Sequence, residues 1–230
     1  MGLSYYLDEL FIILAIAITG LAQLILTIKY SYYKRKEIFT GLTGKEVAEK
    51  ILKEYDLDDE VTVNKINGNL TDHYNDSNKT VNLSKDIYEG KSIASTAVAA
   101  HECGHALQYK DGYKPIEIRN RIVPIVNIGN RLGYIAIVIS LFASITSLFI
   151  IGIVLISLAV VFQLITLPCE FNASKRANKV ILEMGLVEEK EQRGTKSMLR
   201  AAAFTYVAGL FSSILQILRL IYIFTGRRRD

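Results

Sequence analysis

The sequence predicts a mainly α-helical membrane protein, with about four transmembrane helices and a small α+β unit. Three observations point there. Hydrophobic residues make up 50% of the 230 and charged residues 22%, so the two kinds must be segregated along the chain. They are: Tyr5–Ile28 is nearly all apolar past Asp8 and Glu9, residues 132–167 carry no acidic or basic side chain, and Ala201–Phe224 carries Arg219 alone. Apolar runs of this length read as membrane spans. Packing all of them into a water-soluble core would leave too little polar surface to cover it.

The first span reads as a retained anchor. Its leader, MGLSYYLDEL, is acidic where a cleaved signal is basic, and its apolar core is too long. Tyr6 stands where a myristoylation pattern wants Ser or Thr. The stretch KYSYYKRK (29–36) is basic and tyrosine-rich, as at a membrane interface. Thr43 then opens a capping box with Glu46, and Val47, Ile51, Leu52 and Tyr55 follow at helical spacing, which predicts an amphipathic helix over 44–55. Val61 and Val63 alternate with polar residues, and Asn67-Gly68 is a hairpin signal. Two more strands are expected at Asn69–Tyr74 and Lys79–Leu83, separated by the turn-rich stretch 75–78. A helix from about Ser92 to Lys110, stopping at Gly112, completes the polar region.

Residues 132–167 would make one helix about 54 Å long, against a hydrocarbon core of roughly 30 Å. A tight hairpin turning near Ser144–Gly152 resolves this as two spans of minimal length. The chain then divides into an anchor (1–33), an α+β region (34–131), a membrane hairpin (132–167), a helical segment (168–200) and a last span with a basic tail (201–230). Gln163 and Gln216 fall inside spans, where carboxamides read as interhelical glue ahead of a substrate path through the bilayer.

The chemistry concentrates in VAAHECGHALQY (98–109). His101 and His105 are one helical turn apart, so both imidazoles project from one face and can bind one metal. Glu102 stands beside that face, placed to hold and deprotonate water. This is the H-E-x-x-H arrangement of zinc peptidases, and it uses two of only three histidines in the chain. A catalytic zinc takes three protein ligands and keeps one position open. His73 and Glu170 are both candidates for the third. The hairpin matters here, because two spans between 132 and 167 return Glu170 to the membrane side of the motif. A glutamate just after Pro168, in the first turn of a helix, is also explained by the helix dipole alone.

Several segments together resemble a known family: GLTGKEVAEKIL, LTDHY, KTVNLS, VAAHECGHALQY, FQLITLPCEFNASKRA and LRAAAFTYVA look like the YugP-like family of neutral zinc metallopeptidases, bacterial membrane proteins. The resemblance runs from about residue 41 to 222. That family is similar in turn to the membrane gluzincins, which include HtpX and the CAAX-prenyl proteases and take their third ligand from an E-x-x-x-D segment. The resemblance therefore implies Zn²⁺ held by His101, His105 and Glu170, in a zincin-like catalytic unit. Ser174 stands where the larger group has aspartate, so a carboxylate at that position is absent here. Glu102 is then the general base toward water and the proton carrier to the leaving amine. His73 and Tyr74 are the candidates for stabilising the oxyanion, since gluzincins use histidine or tyrosine there. An extended substrate could pair with an edge strand near 69–83.

The expected activity is hydrolysis of peptide bonds in membrane or membrane-adjacent proteins by a membrane-anchored zinc endopeptidase. The alternative is a catalytically silent membrane scaffold with structural zinc, whose mark would be a fourth protein ligand. Zinc transport fits less well, since no histidine or carboxylate lies mid-span. The net charge of +4 is spread beside the spans, which suits anionic lipid headgroups and not nucleic acid. Basic residues flank the motif side (Lys34, Arg35, Arg119, Arg176 among them), which puts the catalytic part in the cytoplasm, with Arg227–Arg229 as the counterweight. Cys103 and Cys169 make no disulfide framework and read as small buried thiols.

Overall fold

The computed structural model describes residues 2–226, with side chains from residue 8 onward; the basic tail Arg227–Arg229 lies outside the described residues. Seven helices and three strands follow in the order α1 (Gly2–Lys34), α2 (Gly44–Glu54), β1 (Thr62–Ile66), β2 (His73–Asn75), β3 (Thr80–Ser84), α3 (Lys85–Tyr88), α4 (Ile93–Lys110), α5 (Lys114–Ala143), α6 (Thr146–Glu183) and α7 (Glu189–Gly226). The chain separates into two compact units. One comprises residues up to 23, 117–167 and from 204 onward; the other comprises 24–116 and 168–203.

The first unit is built from the apolar stretches of α1, α5, α6 and α7, and each of these four helices is long and apolar enough to cross a membrane. Its helices bury little and expose much: Ile13, Ile16, Ile125, Ile128, Val154 and Phe211 all stand open. α5 and α6 are separated only by Ser144 and Ile145, with Ser144 in the left-handed region at φ 57°, so the expected hairpin turns at the near edge of its predicted window. The two helices meet at glycines. A Cβ on Gly152 would stand 2.8 Å from the Gly133 carbonyl oxygen, and one on Gly133 would stand 2.9 Å from that of Gly152. This is the small-residue contact that lets apolar helices approach closely. Arg219 is paired: its Nε donates to Asp8 Oδ1 at 2.6 Å.

The second unit has a conventional core. Val47, Ile51 and Leu52 on α2, Val81 and Leu83 on β3, and Ala97, Ala100 and Leu107 on α4 are buried together with Ile181 and Met198. Each fully buried aliphatic side chain contributes on the order of 1.5–3 kcal/mol. The capping box is present as the sequence predicts, with Glu46 N donating to Thr43 Oγ1 and Thr43 N to the Glu46 carboxylate. α2 ends at Glu54, within a residue of expectation.

The sheet corrects one expectation. Its order is β1-β3-β2, with β1 parallel to β3 and β2 antiparallel to β3. Asn67-Gly68 therefore does not close a hairpin. Residues 69–72 form no strand, and the true hairpin joins β2 to β3. The Asp72 carboxylate accepts from both the backbone N (2.7 Å) and the Oγ (3.0 Å) of Ser84, which carries the chain across the end of β3 and leaves β2 as a three-residue edge strand. β3 is buried on both faces, Val81 and Leu83 on one and Asn82 and Ser84 on the other, and it takes the centre of the sheet.

Candidate active site

α4 positions the motif. Its N-cap is Ser92, whose Oγ accepts from Ser95 N, and Gly112 follows its last turn at φ 61°. The predicted limits hold. Alanines fill its buried faces and let α2, the sheet and α6 pack close. Gly104, inside the motif, has a second purpose: a Cβ there would meet the backbone oxygen of Ala173 at 2.6 Å. α4 and the 168–183 stretch of α6 are thereby in near-backbone contact.

That contact brings the third carboxylate to the histidines. His101 Nε2 lies 3.3 Å and His105 Nε2 3.6 Å from Glu170 Oε2, and the three donors form a group that could hold a metal ion. Glu170 is 2% exposed. The reason for its position differs from the sequence reading: it does not begin a helix. α6 runs unbroken from Thr146 to Glu183 with Pro168 in its interior, so no helix N-terminus is there to attract the carboxylate. Proline favours first helical turns, which suggested a start, but the helical pattern continues through it.

The outer nitrogens of both histidines are engaged. His101 Nδ1 meets Ser174 Oγ at 3.2 Å, and His105 Nδ1 meets Gln108 Oε1 at 2.9 Å. The Gln108 amide nitrogen donates to Cys169 O at 2.7 Å and Asn172 Oδ1 at 3.0 Å. With its donors committed to two acceptors, Gln108 can present only its oxygen to His105. Nδ1 of His105 is then the donor of this pair, and in the neutral imidazole that turns the lone pair of Nε2 toward Glu170. The donor set fits zinc: two imidazole nitrogens and a carboxylate on one point, each imidazole held by a hydrogen bond behind it.

Glu102 is buried, and its Oε2 accepts from the backbone N of Tyr74 at 3.0 Å. Burial pushes its carboxyl above the ordinary range, while His101 and His105 pull it back down. The Tyr74 N–H that reaches it comes from edge strand β2. Burial also raises the Tyr74 hydroxyl to about 12, with help from Asp76 and Glu60, so that hydroxyl keeps its proton at neutral pH. Asp72, which anchors the approach to β2, is likewise pushed up by burial against the two Ser84 hydrogen bonds. His73 is exposed, with Nδ1 2.8 Å from Thr71 O and Nε2 3.2 Å from Asn82 Nδ2. Both thiols are fully buried, and burial pushes Cys103 well above the usual thiol range.

Sequence reasoning passed over Gln108. The signal available was a carboxamide three residues beyond His105, on the same side of a helix otherwise built from small apolar residues.

Two histidines and a carboxylate converging in this way define a zinc-type centre, and comparison with known proteins agrees. The family described as "Putative neutral zinc metallopeptidase" matches residues 9–225, and the chain belongs to that family. It is 40% identical over 224 residues to the "Putative membrane protease YugP" of Bacillus subtilis (strain 168), an alignment covering 96% of this chain and 99% of that protein. No solved structure matches it.

Proposed function

We propose that the protein is a membrane-anchored zinc endopeptidase of gluzincin type, acting on membrane or membrane-adjacent proteins, with its catalytic part in the cytoplasm. The observation that carries this reading is the convergence of His101, His105 and Glu170, with Glu102 beside them on a backbone hydrogen bond. In this reading His101, His105 and Glu170 are the zinc ligands. A bound zinc supplies Lewis acidity toward a carbonyl and toward water.

The chain's own residues do the rest. Glu102 takes the proton of the attacking water and returns it to the leaving amine. The Tyr74 N–H restrains one carboxylate oxygen and leaves the other for that proton. Burial, by raising the affinity of Glu102 for a proton, suits it to this exchange. Gln108 and Ser174 hold the imidazoles in place. Tyr74, protonated at working pH, or His73 supplies a donor to the oxyanion. Among the described residues the metal group has three protein donors, which supports a catalytic site over a closed structural one.

Glu102→Gln tests the proposal. It keeps size and hydrogen-bonding reach but removes basicity. Zinc content should stay near one per chain, while cleavage of a casein-like substrate in detergent falls by about 10²–10⁴, mainly in kcat. Activity that survives both this substitution and chelation would sink the assignment.

A further inference from the structure

Arg176 follows Glu170 along α6 in the run SKRANK (174–179), where Lys175 and Lys179 are exposed as ordinary surface charges. Its own side chain is only 25% exposed and is committed within the protein. Nε donates to Asn172 Oδ1 at 2.8 Å, one turn back on α6. Nη1 pairs with the carboxylate of Asp111, the residue that caps the C-terminus of α4. Asn172 Oδ1 also accepts from Gln108 Nε2 at 3.0 Å, and Gln108 Oε1 faces His105 Nδ1 at 2.9 Å. These contacts form one chain, running from an ion pair at the surface to an imidazole of the candidate metal group.

The polarity of the chain is consistent from end to end. A guanidinium has donors only, so Asn172 turns its oxygen to Arg176, and the same oxygen receives the Gln108 amide. Reversed, the Asn172 amide nitrogen would face two donors. The other hydrogen of that Gln108 amide goes to Cys169 O at 2.7 Å. Gln108 is fully buried, so a donor released by Asn172 stays unpaired, and relieving it means moving the amide that faces His105. An ion pair with a half-exposed Asp111 contributes little by itself. What Arg176 adds is a planar fork that fixes a residue of α4 and a residue of α6 at once. A charge meant for lipid headgroups would be exposed, as Lys175 is.

We propose that Arg176 is a positioning residue for the metal centre, acting on His105 through Asn172 and Gln108. It takes its ligand set from the peptidase reading above and carries the support of that site out to the surface of the protein.

The test reads the zinc affinity of the full-length protein in detergent, by competition with a chromogenic chelator. Arg176→Met keeps an apolar stem and removes the fork, and should weaken zinc binding about 3–10-fold. Asn172→Ala should do the same, and the two together no more than either alone. In a Gln108→Leu background Arg176→Met should cost less than about twofold, because the link to His105 is already cut. Lys179→Met removes a neighbouring charge without touching the chain, and should leave the affinity unchanged. The visible bands of the cobalt(II)-loaded protein, which follow the geometry at the metal, should shift in the same direction in Arg176→Met, Asn172→Ala and Gln108→Leu. Monodispersity and thermal unfolding show that each variant is folded. The proposal is overturned if Arg176→Met binds zinc as tightly as the natural protein, or if its full effect persists beside Gln108→Leu. An equal loss in Lys179→Met, or cobalt bands unmoved by Arg176→Met, would overturn it as well. All four outcomes leave the peptidase reading standing, whereas a natural protein that binds no zinc would overturn both.

Discussion

Gln108 ties the two halves of the metal group together through one side chain. Its oxygen faces His105 Nδ1 and its nitrogen is bound to Cys169 O and Asn172 Oδ1 on the helix that carries Glu170. It is fully buried, so no water replaces a lost partner. Gln108→Leu, close in size, should leave His105 free to rotate and weaken zinc binding about 10–100-fold, read by competition with a chromogenic chelator. Gln108→Glu restores the acceptor toward Nδ1 but not the donors toward α6, so it should recover part of that affinity. If Gln108→Leu binds zinc as tightly as the natural protein, the hydrogen bond behind His105 is dispensable. Ser174 gives the other imbalance. A hydroxyl stands behind His101, with Ser174 Oγ 3.2 Å from its Nδ1, so that imidazole is held by a neutral partner.

The elements were legible wherever one local rule decided them. Thr43 with Glu46 marked the start of α2, Ser92 and Gly112 bracketed α4, and the excess length of 132–167 required a turn. The sheet order was not legible, because Asn67-Gly68 obeys turn chemistry whether or not strands pair across it. The pairing of β1 with β3 depends instead on burial of Val81 and Leu83, which is a tertiary demand. Likewise Pro168 looked like a helix start because nothing local shows that α6 continues through it. Gly104 was visible in the motif, yet its reason lies 69 residues away from its neighbour in the chain, at Ala173. The oxygen it approaches is backbone, so no change at Ala173 can make room. Gly104→Ala should force α4 and α6 apart, costing about 1–3 kcal/mol as overpacking does and loosening zinc at the same time. Thermal unfolding with and without zinc measures both. An unchanged Tm with unchanged zinc affinity would show that the close approach is not needed.

For the chain as a whole, the arrangement across a bilayer follows from parity. With α1, α5, α6 and α7 each crossing once, residues 35–113 and 184–188 must emerge on the same side, and that is the side of the motif. The structure meets this condition independently, since His101, His105 and Glu170 converge within one compact unit. One span in place of the α5–α6 hairpin would have put Glu170 across the membrane from both histidines. In the orientation proposed above, that side is cytoplasmic and carries the basic residues Arg35, Arg119 and Arg176. Lys110 and Lys190 are both exposed, one beyond the motif and one at the start of α7. Placed singly in a Cys-less protein, cysteines at these two positions should react with an impermeant maleimide only after the cytoplasmic face is opened, and to the same extent. Labelling from outside at both positions would reverse the orientation and leave the metal site intact. Labelling from opposite sides would break the parity, and with it the assignment of Glu170 as a ligand.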